Sequence, residues 1–112
     1  MAIDFKRTDR IAEMMQQELA QIVQYNLRDP RLTGFVTISS VNVSKNLAHA
    51  TAYFTVFNAD PEATSALLNH SASYMRTVLA KSMKLRVIPQ LHFVYDGSVE
   101  YGSYMNRLLN SV

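Results

Sequence analysis

One long amphipathic pattern in the second half of the chain constrains the fold more than any other feature. The triplet Asp60-Pro61-Glu62 predicts a helix start, because it offers a capping carboxylate, a proline at the first helical position and an acidic first turn. The helical pattern continues to about Lys84, and one straight helix of that length would measure about 35 Å. That is too long for a domain of 112 residues, so a bend is predicted at Ser71-Ala72-Ser73, where two serines compete for backbone hydrogen bonds.

The remaining patterns predict one helix before this segment and three strands around it. Apolar residues recur at helical spacing from Arg10 to Asn26, and Pro30 ends that helix because proline disfavours the helical conformation of the preceding residue. Strand patterns cover residues 35–43, 50–57 and 91–95. The apolar phase of the first strand changes near Ser39-Ser40, which predicts a β-bulge.

The predicted turns complete the order of the elements. Ser44-Lys45-Asn46 has the composition of a turn, so the first two strands are predicted to form a hairpin. A short terminal helix is predicted behind Ser98 on an apolar stripe formed by Tyr101, Tyr104, Met105, Leu108 and Leu109. The order is helix, strand, strand, helix–kink–helix, strand, with the terminal helix after it, and the fold class is α+β.

Composition excludes several classes of protein. The chain contains no cysteine, which rules out disulfides, thiolate metal sites and cysteine nucleophiles. No apolar run approaches the roughly 20 residues that span a bilayer, and the first residues lack the apolar core of a signal peptide. We therefore predict one soluble, cytoplasmic domain over residues 1–112, without a membrane partner.

Positive charge is concentrated in the same segment as the long helical pattern. No acidic residue lies between Glu62 and Asp96, and four cations do: Arg76, Lys81, Lys84 and Arg86. The whole chain has a formal net charge of +2, so this window of charge +4 leaves −2 for the remainder. A local basic patch attracts a phosphate backbone, because each neutralised phosphate releases condensed counterions. The alternative is a solvated helix face that lacks acidic residues.

Three further cations lie at predicted turns. Arg28 and Arg31 flank the break at Asp29-Pro30, where a guanidinium can contact phosphate or pair with Asp29. Lys45 lies at the tip of the predicted hairpin, where it can touch RNA or simply be solvated.

The histidines do not form a catalytic or metal-binding pattern. His49, His70 and His92 lack HExxH spacing and a fixed acidic partner. His92 and Asp96 could form a dyad, but nothing supplies a nucleophile or an oxyanion hole. The prediction is a protein that is not an enzyme, with no catalytic residue, metal, cofactor or small-molecule substrate. Tyr74 is one of several tyrosines that could stack on bases.

The order and spacing of several short motifs resemble one known family. The sharpest motifs are Asp29-Pro30-Arg31-Leu32, the run 34–38 and the run 84–96, and the runs 98–100 and 106–109 extend them. From about Phe5 to Leu109 the chain resembles bacterial ribosome-binding factor A, a family of assembly factors of the small ribosomal subunit. The resemblance implies a type II KH-like fold, in which helices pack on one face of a three-stranded sheet.

The resemblance also bears on the predicted bend. KH domains that bind single strands use a GXXG loop to clamp the backbone, and this sequence has no such loop. The family replaces it with a helix–kink–helix centred on Ala-x-Gly, which falls on Ser71, Ala72 and Ser73. Because the small side chains are kept and the glycine is not, we expect a reduced kink rather than none.

The resemblance implies a monomeric, non-enzymatic ribosome-biogenesis factor. Such a factor binds the small (30S) subunit and its 16S rRNA near the 5′-terminal helix, and promotes rRNA maturation and cold adaptation. The expected RNA-binding residues are Arg76, Lys81, Lys84, Arg86, Arg28, Arg31 and Lys45. Two other hypotheses remain, a general KH-type module that binds single-stranded nucleic acid and, more remotely, a small hydrolase.

Overall fold

The computed structural model describes residues 2–27 and 29–97, and for residues 2–6 it describes the backbone alone. The helices are α1 (Ala2–Gln21), which continues into one π-helical turn at Ile22–Asn26, α2 (Pro61–His70) and α3 (Ala72–Ser82). The strands are β1 (Phe35–Val43), β2 (His49–Phe57) and β3 (Gln90–Tyr95). Arg28 and the predicted terminal helix after Ser98 lie outside the described residues.

The first helix begins eight residues before its predicted start at Arg10, and this is a correction of the sequence prediction. Residues 2–9 contain neither proline nor glycine, so nothing stops the helix from extending beyond its buried apolar stripe. At the other end the amide of Leu27 donates to the carbonyl of Ile22 at 2.9 Å. Ile22 and Val23, three and four residues after the buried Leu19, continue the apolar stripe of α1 into this π-helical turn.

The predicted hairpin and its bulge are confirmed. Strands β1 and β2 are antiparallel, and their register shifts between Ile38 and Ser40. The shift leaves Ser39 without a partner residue in the ladder, and α1 compensates for it. The Gln16 side-chain amide donates to the carbonyls of Ile38 at 3.3 Å and Ser39 at 3.1 Å, so α1 and the bulge are joined by hydrogen bonds.

The long helical pattern is divided, as the sequence predicts. Helix α2 ends at His70 and α3 begins at Ala72, with Ser71 between them at φ −91° and ψ 5°. The amide of Ser71 is shared between the carbonyls of Leu67 and Leu68, both at 3.1 Å. The break therefore occurs at one serine without a glycine, and α3 ends at Ser82, two residues before the predicted end.

Strand β3 pairs in parallel with β2 and completes a mixed sheet with the order β1-β2-β3. All three helices pack on one face of this sheet. The fully buried side chains at the centre of the core include Met15, Leu19, Phe54, Leu68, Met75 and Leu79. The architecture is the α+β, type II KH-like fold that the resemblance implies, and that prediction is confirmed.

Candidate nucleic-acid interface

The helix break and the Asp29-Pro30 turn meet at an open cleft of about 630 Å³. Its lining residues come from the end of α1, the following turn and the start of α3: Asn26, Leu27, Asp29, Pro30, Arg31, Ser71 and Tyr74. Tyr74 is 48% exposed at the edge of the cleft. The structure thus brings together two features that are more than forty residues apart in sequence.

Within the cleft, Arg31 is bound to Asp29. The Arg31 guanidinium donates from Nε to Oδ1 at 3.1 Å and from Nη2 to Oδ2 at 2.8 Å, and the Arg31 amide also donates to Oδ1 at 2.9 Å. These hydrogen bonds, the side-chain ones first, lower the pKa of Asp29 to about 2. The carboxylate is therefore ionised at neutral pH, and a phosphate would have to compete with it for the guanidinium.

Helix α3 presents one exposed face that begins at the cleft. Tyr74 and Lys81 are two helical turns apart and both are exposed, whereas Met75 and Leu79 are buried against the sheet. Lys84 and Arg86 follow in the connection to β3 and are exposed as well. We refer to Lys81, Lys84 and Arg86 as the α3 end.

Arg76 faces away from this surface. It is half-buried, and its Nε donates to the carbonyl of Pro89 at 3.1 Å while Nη2 donates to the carbonyl of Ile88 at 2.9 Å. These bonds hold α3 against the segment that enters β3. The structure therefore gives Arg76 an internal role, one that the spacing of cations along the helix did not indicate.

Lys45 lies in a turn that is ordered by its neighbours. The amide of His49 donates to Ser44 Oγ at 3.1 Å, and the amide of Ala48 donates to Asn46 Oδ1 at 3.1 Å. The amide of Gln90 donates to the carbonyl of Ala48 at 2.9 Å. The exposed Lys45 and the connection that carries Lys84 and Arg86 therefore lie at the same end of the sheet.

The histidines lie differently from the dyad considered in the sequence. His49 Nδ1 and His92 Nε2 are 3.1 Å apart on neighbouring strands, and the carboxylate of Asp96 accepts a hydrogen bond from Ser39 Oγ at 3.2 Å. Within residues 2–27 and 29–97, no group of three or more His, Cys, Asp or Glu side chains could hold a metal ion. In the same ranges, no helix combines the length and the apolarity that a membrane span requires.

The sequence did not indicate the exposed Tyr25 or the cleft-lining Asn26, both in the π-helical turn. A π-helical turn rotates the residues after it relative to an α-helix. The helical spacing of apolar residues therefore could not show which side chains of this turn reach the surface.

Two helices separated by a break, packed together with α1 on one face of a three-stranded mixed sheet, place the chain among type II KH-like proteins. The model of the family named ribosome-binding factor A matches residues 7–109. The chain belongs to the ribosome-binding factor A family.

Individual relatives agree with this assignment. The chain is 54% identical over 112 residues to ribosome-binding factor A of Legionella pneumophila (strain Paris), across 100% of this chain and 91% of the relative. The crystal structure of ribosome-binding factor A from Thermus thermophilus has a TM-score of 0.72 at 25% identity, covering 79% of this chain and 93% of that chain. Thermus thermophilus coordinates fitted into a cryo-EM map of a 30S–RbfA complex have a TM-score of 0.66 at 26% identity, covering 77% of this chain and 91% of that one.

Proposed function

We propose that this protein is a non-enzymatic assembly factor that binds the small (30S) ribosomal subunit through its 16S rRNA. One observation carries the proposal, namely the exposed surface that runs along α3 from Tyr74 at the cleft to the α3 end. No carboxylate side chain occurs in the sequence from Ala63 to Tyr95, so nothing in this segment competes with phosphate for the lysines. The Thermus thermophilus factor fitted into a 30S complex supports the choice of the small subunit.

The helix break is what makes this surface available. Because α3 starts anew at Ala72, it can bury Met75 and Leu79 against the sheet while Tyr74 and Lys81 remain exposed. Lys81 is thus carried by a packed helix, and Lys84 and Arg86 by the connection that follows it, rather than by a glycine-rich loop. A rigid cationic surface of this kind stabilises the RNA conformation that matches it, without chemistry by the protein.

The finer parts of the proposal follow from family membership. We propose contact near the 5′-terminal helix of 16S rRNA, a role in rRNA maturation and in growth in the cold, and action as a cytoplasmic monomer. The RNA-binding residues in the proposal are the α3 end and Lys45, with Arg31 at the turn before β1 and Arg28, which lies outside the described residues, as a second contact. Arg76 remains a proposed RNA contact only through those guanidinium N–H groups that do not bind the carbonyls of Ile88 and Pro89.

Co-sedimentation in a sucrose gradient tests the proposal. The protein is mixed with purified small subunits, with large subunits as the matched control, and with increasing unstructured single-stranded RNA as competitor. We expect the protein to remain bound to the small subunit when the competitor RNA and the rRNA are present at the same concentration of nucleotides. Release by equimolar competitor, or equal binding to large subunits, would favour the general KH-type module instead.

A further inference from the structure

The face of the sheet that points away from the helices carries no ionisable acid or base other than histidine and tyrosine. It consists of the alternate residues of β2 from His49 to Phe57 and their paired neighbours on β1 and β3. None of these residues is Asp, Glu, Lys or Arg, and none of the three helices covers them within the described part of the chain. We call this surface the open sheet face.

Two phenylalanines make one end of the open sheet face strongly apolar. Phe35 and Phe57 are directly opposite each other on β1 and β2, and they are 67% and 70% exposed. Val94 on β3 adds a third exposed apolar side chain at 43%. Paired aromatic side chains left in water on one face are typical of a surface that is covered by a partner.

The absence of cations decides between the two kinds of partner that a ribosomal subunit offers. Binding to a phosphate backbone depends on Lys and Arg, and the open sheet face has neither, whereas Lys81 and Lys84 lie on the helical side of the molecule. The central part of a protein–protein interface is depleted in charge and enriched in aromatic residues. Exposed aromatic side chains can also stack on bases, but on this face they would lack the cations that hold the backbone, so the open sheet face matches protein better than RNA.

The size of the face argues against a stable pair of copies of this chain. Three strands of up to nine residues form a surface about 30 Å long and about 15 Å wide, or roughly 450 Å². A stable interface of standard size buries about 800 Å² on each partner. A surface this small suits a second contact within an assembly that is already held elsewhere.

We propose that the open sheet face contacts a protein component of the small subunit, through an uncharged, apolar patch on that protein. This inference rests on the proposed binding of the α3 end to rRNA. The factor would then touch RNA with its helical side and protein with its sheet, so both components would have to be in place for full affinity. It would thereby sense whether a protein has joined the assembling subunit.

Site-specific photocrosslinking on small subunits tests the proposal. p-Benzoylphenylalanine replaces Phe57 in one variant and Tyr74 in another, and adducts are sorted by nuclease and protease digestion. We expect protein adducts from position 57 and rRNA adducts from position 74. Adducts from position 57 with rRNA, with a second copy or with the chain itself would overturn the inference, as would none from position 57 when position 74 reacts. If neither variant nor the unmodified protein binds subunits, the proposed function itself has failed.

A pair of matched variants gives an independent readout. Phe57→Ser removes an exposed apolar side chain from the open sheet face. Met14→Ser is the matched control, because it removes an apolar side chain that is 51% exposed on α1. We expect Phe57→Ser to weaken subunit binding roughly fivefold to tenfold, with the salt dependence unchanged because every bound phosphate stays neutralised. Met14→Ser should bind as the unsubstituted protein does. Equal affinity of the two variants, each folded by circular dichroism, would contradict the proposal.

Discussion

The arginines Arg31, which is exposed, and Arg76, which is half-buried, both bind partners within the described part of the chain, whereas the three exposed cations of the α3 end do not. Arg31 binds the carboxylate of Asp29 and Arg76 binds two backbone carbonyls. Among the described residues, no ion pair involves the α3 end. Residue type and charge therefore do not distinguish an engaged cation from an unengaged one, whereas the contacts of each cation do.

The largest expected effect comes from reversing the charge of the α3 end. Replacing Lys81, Lys84 and Arg86 together by Glu should weaken binding to small subunits by roughly 100-fold or more, because attraction to phosphate is replaced by repulsion. The slope of log affinity against log salt should fall by about 0.9 for each phosphate that is no longer neutralised. Fluorescence titrations at several salt concentrations measure both quantities.

The control for this variant changes charge elsewhere. Arg7→Glu with Arg10→Glu reverses two exposed cations on α1 and should change affinity far less. If the folded triple variant keeps its affinity, the site would move to Arg28 and Arg31, and the comparison between the two groups of cations would be reversed.

The next largest effect is a difference in unfolding free energy between a variant of Arg76 and a variant of Lys81. Arg76→Met keeps much of the apolar stem but leaves the partly buried carbonyls of Ile88 and Pro89 without their donors, so we expect a loss of about 1–3 kcal/mol in unfolding free energy. Lys81→Met, the matched change at an exposed site, should stay within about 0.5 kcal/mol. Urea unfolding measures both. An Arg76→Met variant that is stable yet does not bind subunits would make Arg76 an RNA contact.

A smaller effect is expected at the helix break. Ser71 is half-buried and lines the cleft, whereas Ser73 is exposed. Ser71→Leu should fill part of the cleft and weaken subunit binding, by roughly fivefold, and Ser73→Gly should be tolerated. Equal binding of Ser71→Leu and the unsubstituted protein, measured in the same titration, would remove the cleft from the interface.

The smallest effect concerns the pairing of Arg31. The pKa of Asp29 is lowered to about 2 from its ordinary 3.8, so the stabilisation from the ion pair is complete above about pH 4 and disappears as the pH falls through 2. Arg31→Ala should return the pKa of Asp29 towards 3.8, as followed by NMR of its carboxyl carbon. An ordinary pKa in the unsubstituted protein would mean that Arg31 is unpaired in solution and available to phosphate.

The elements that the sequence predicted correctly are those with local signals. The Asp60 carboxylate caps α2 by accepting from the amide of Ala63 at 2.9 Å, and the bulge in β1 appears as a phase shift within one strand. The break at Ser71 could be inferred because the helical pattern was too long for the domain. For the cap and the bulge, a few neighbouring residues contain the whole physical cause, whereas the break also required the length of the helical pattern to be compared with the size of the domain.

The features that could not be predicted depend on contacts between distant residues. Arg76 is engaged because α3 packs beside the carbonyls that precede β3, and no pattern within α3 reveals that. The pairing of His49 with His92 follows from the parallel register of β2 and β3. The early start of α1 was missed for a different reason, since polar residues extend a helix without leaving an apolar pattern.

The parallel pairing of β3 with β2 also determines when the proposed RNA-binding surface can form during folding. The β1–β2 hairpin needs only a short local turn, whereas β3 reaches β2 after α2, α3 and the connection have been traversed. Such non-local pairings form later than local ones because more chain entropy must be given up first. Lys45 and Arg86 come to the same end of the sheet only when Gln90 meets Ala48. A nascent chain would therefore contain every proposed RNA-binding residue before it could assemble them into one surface, because that assembly requires β3.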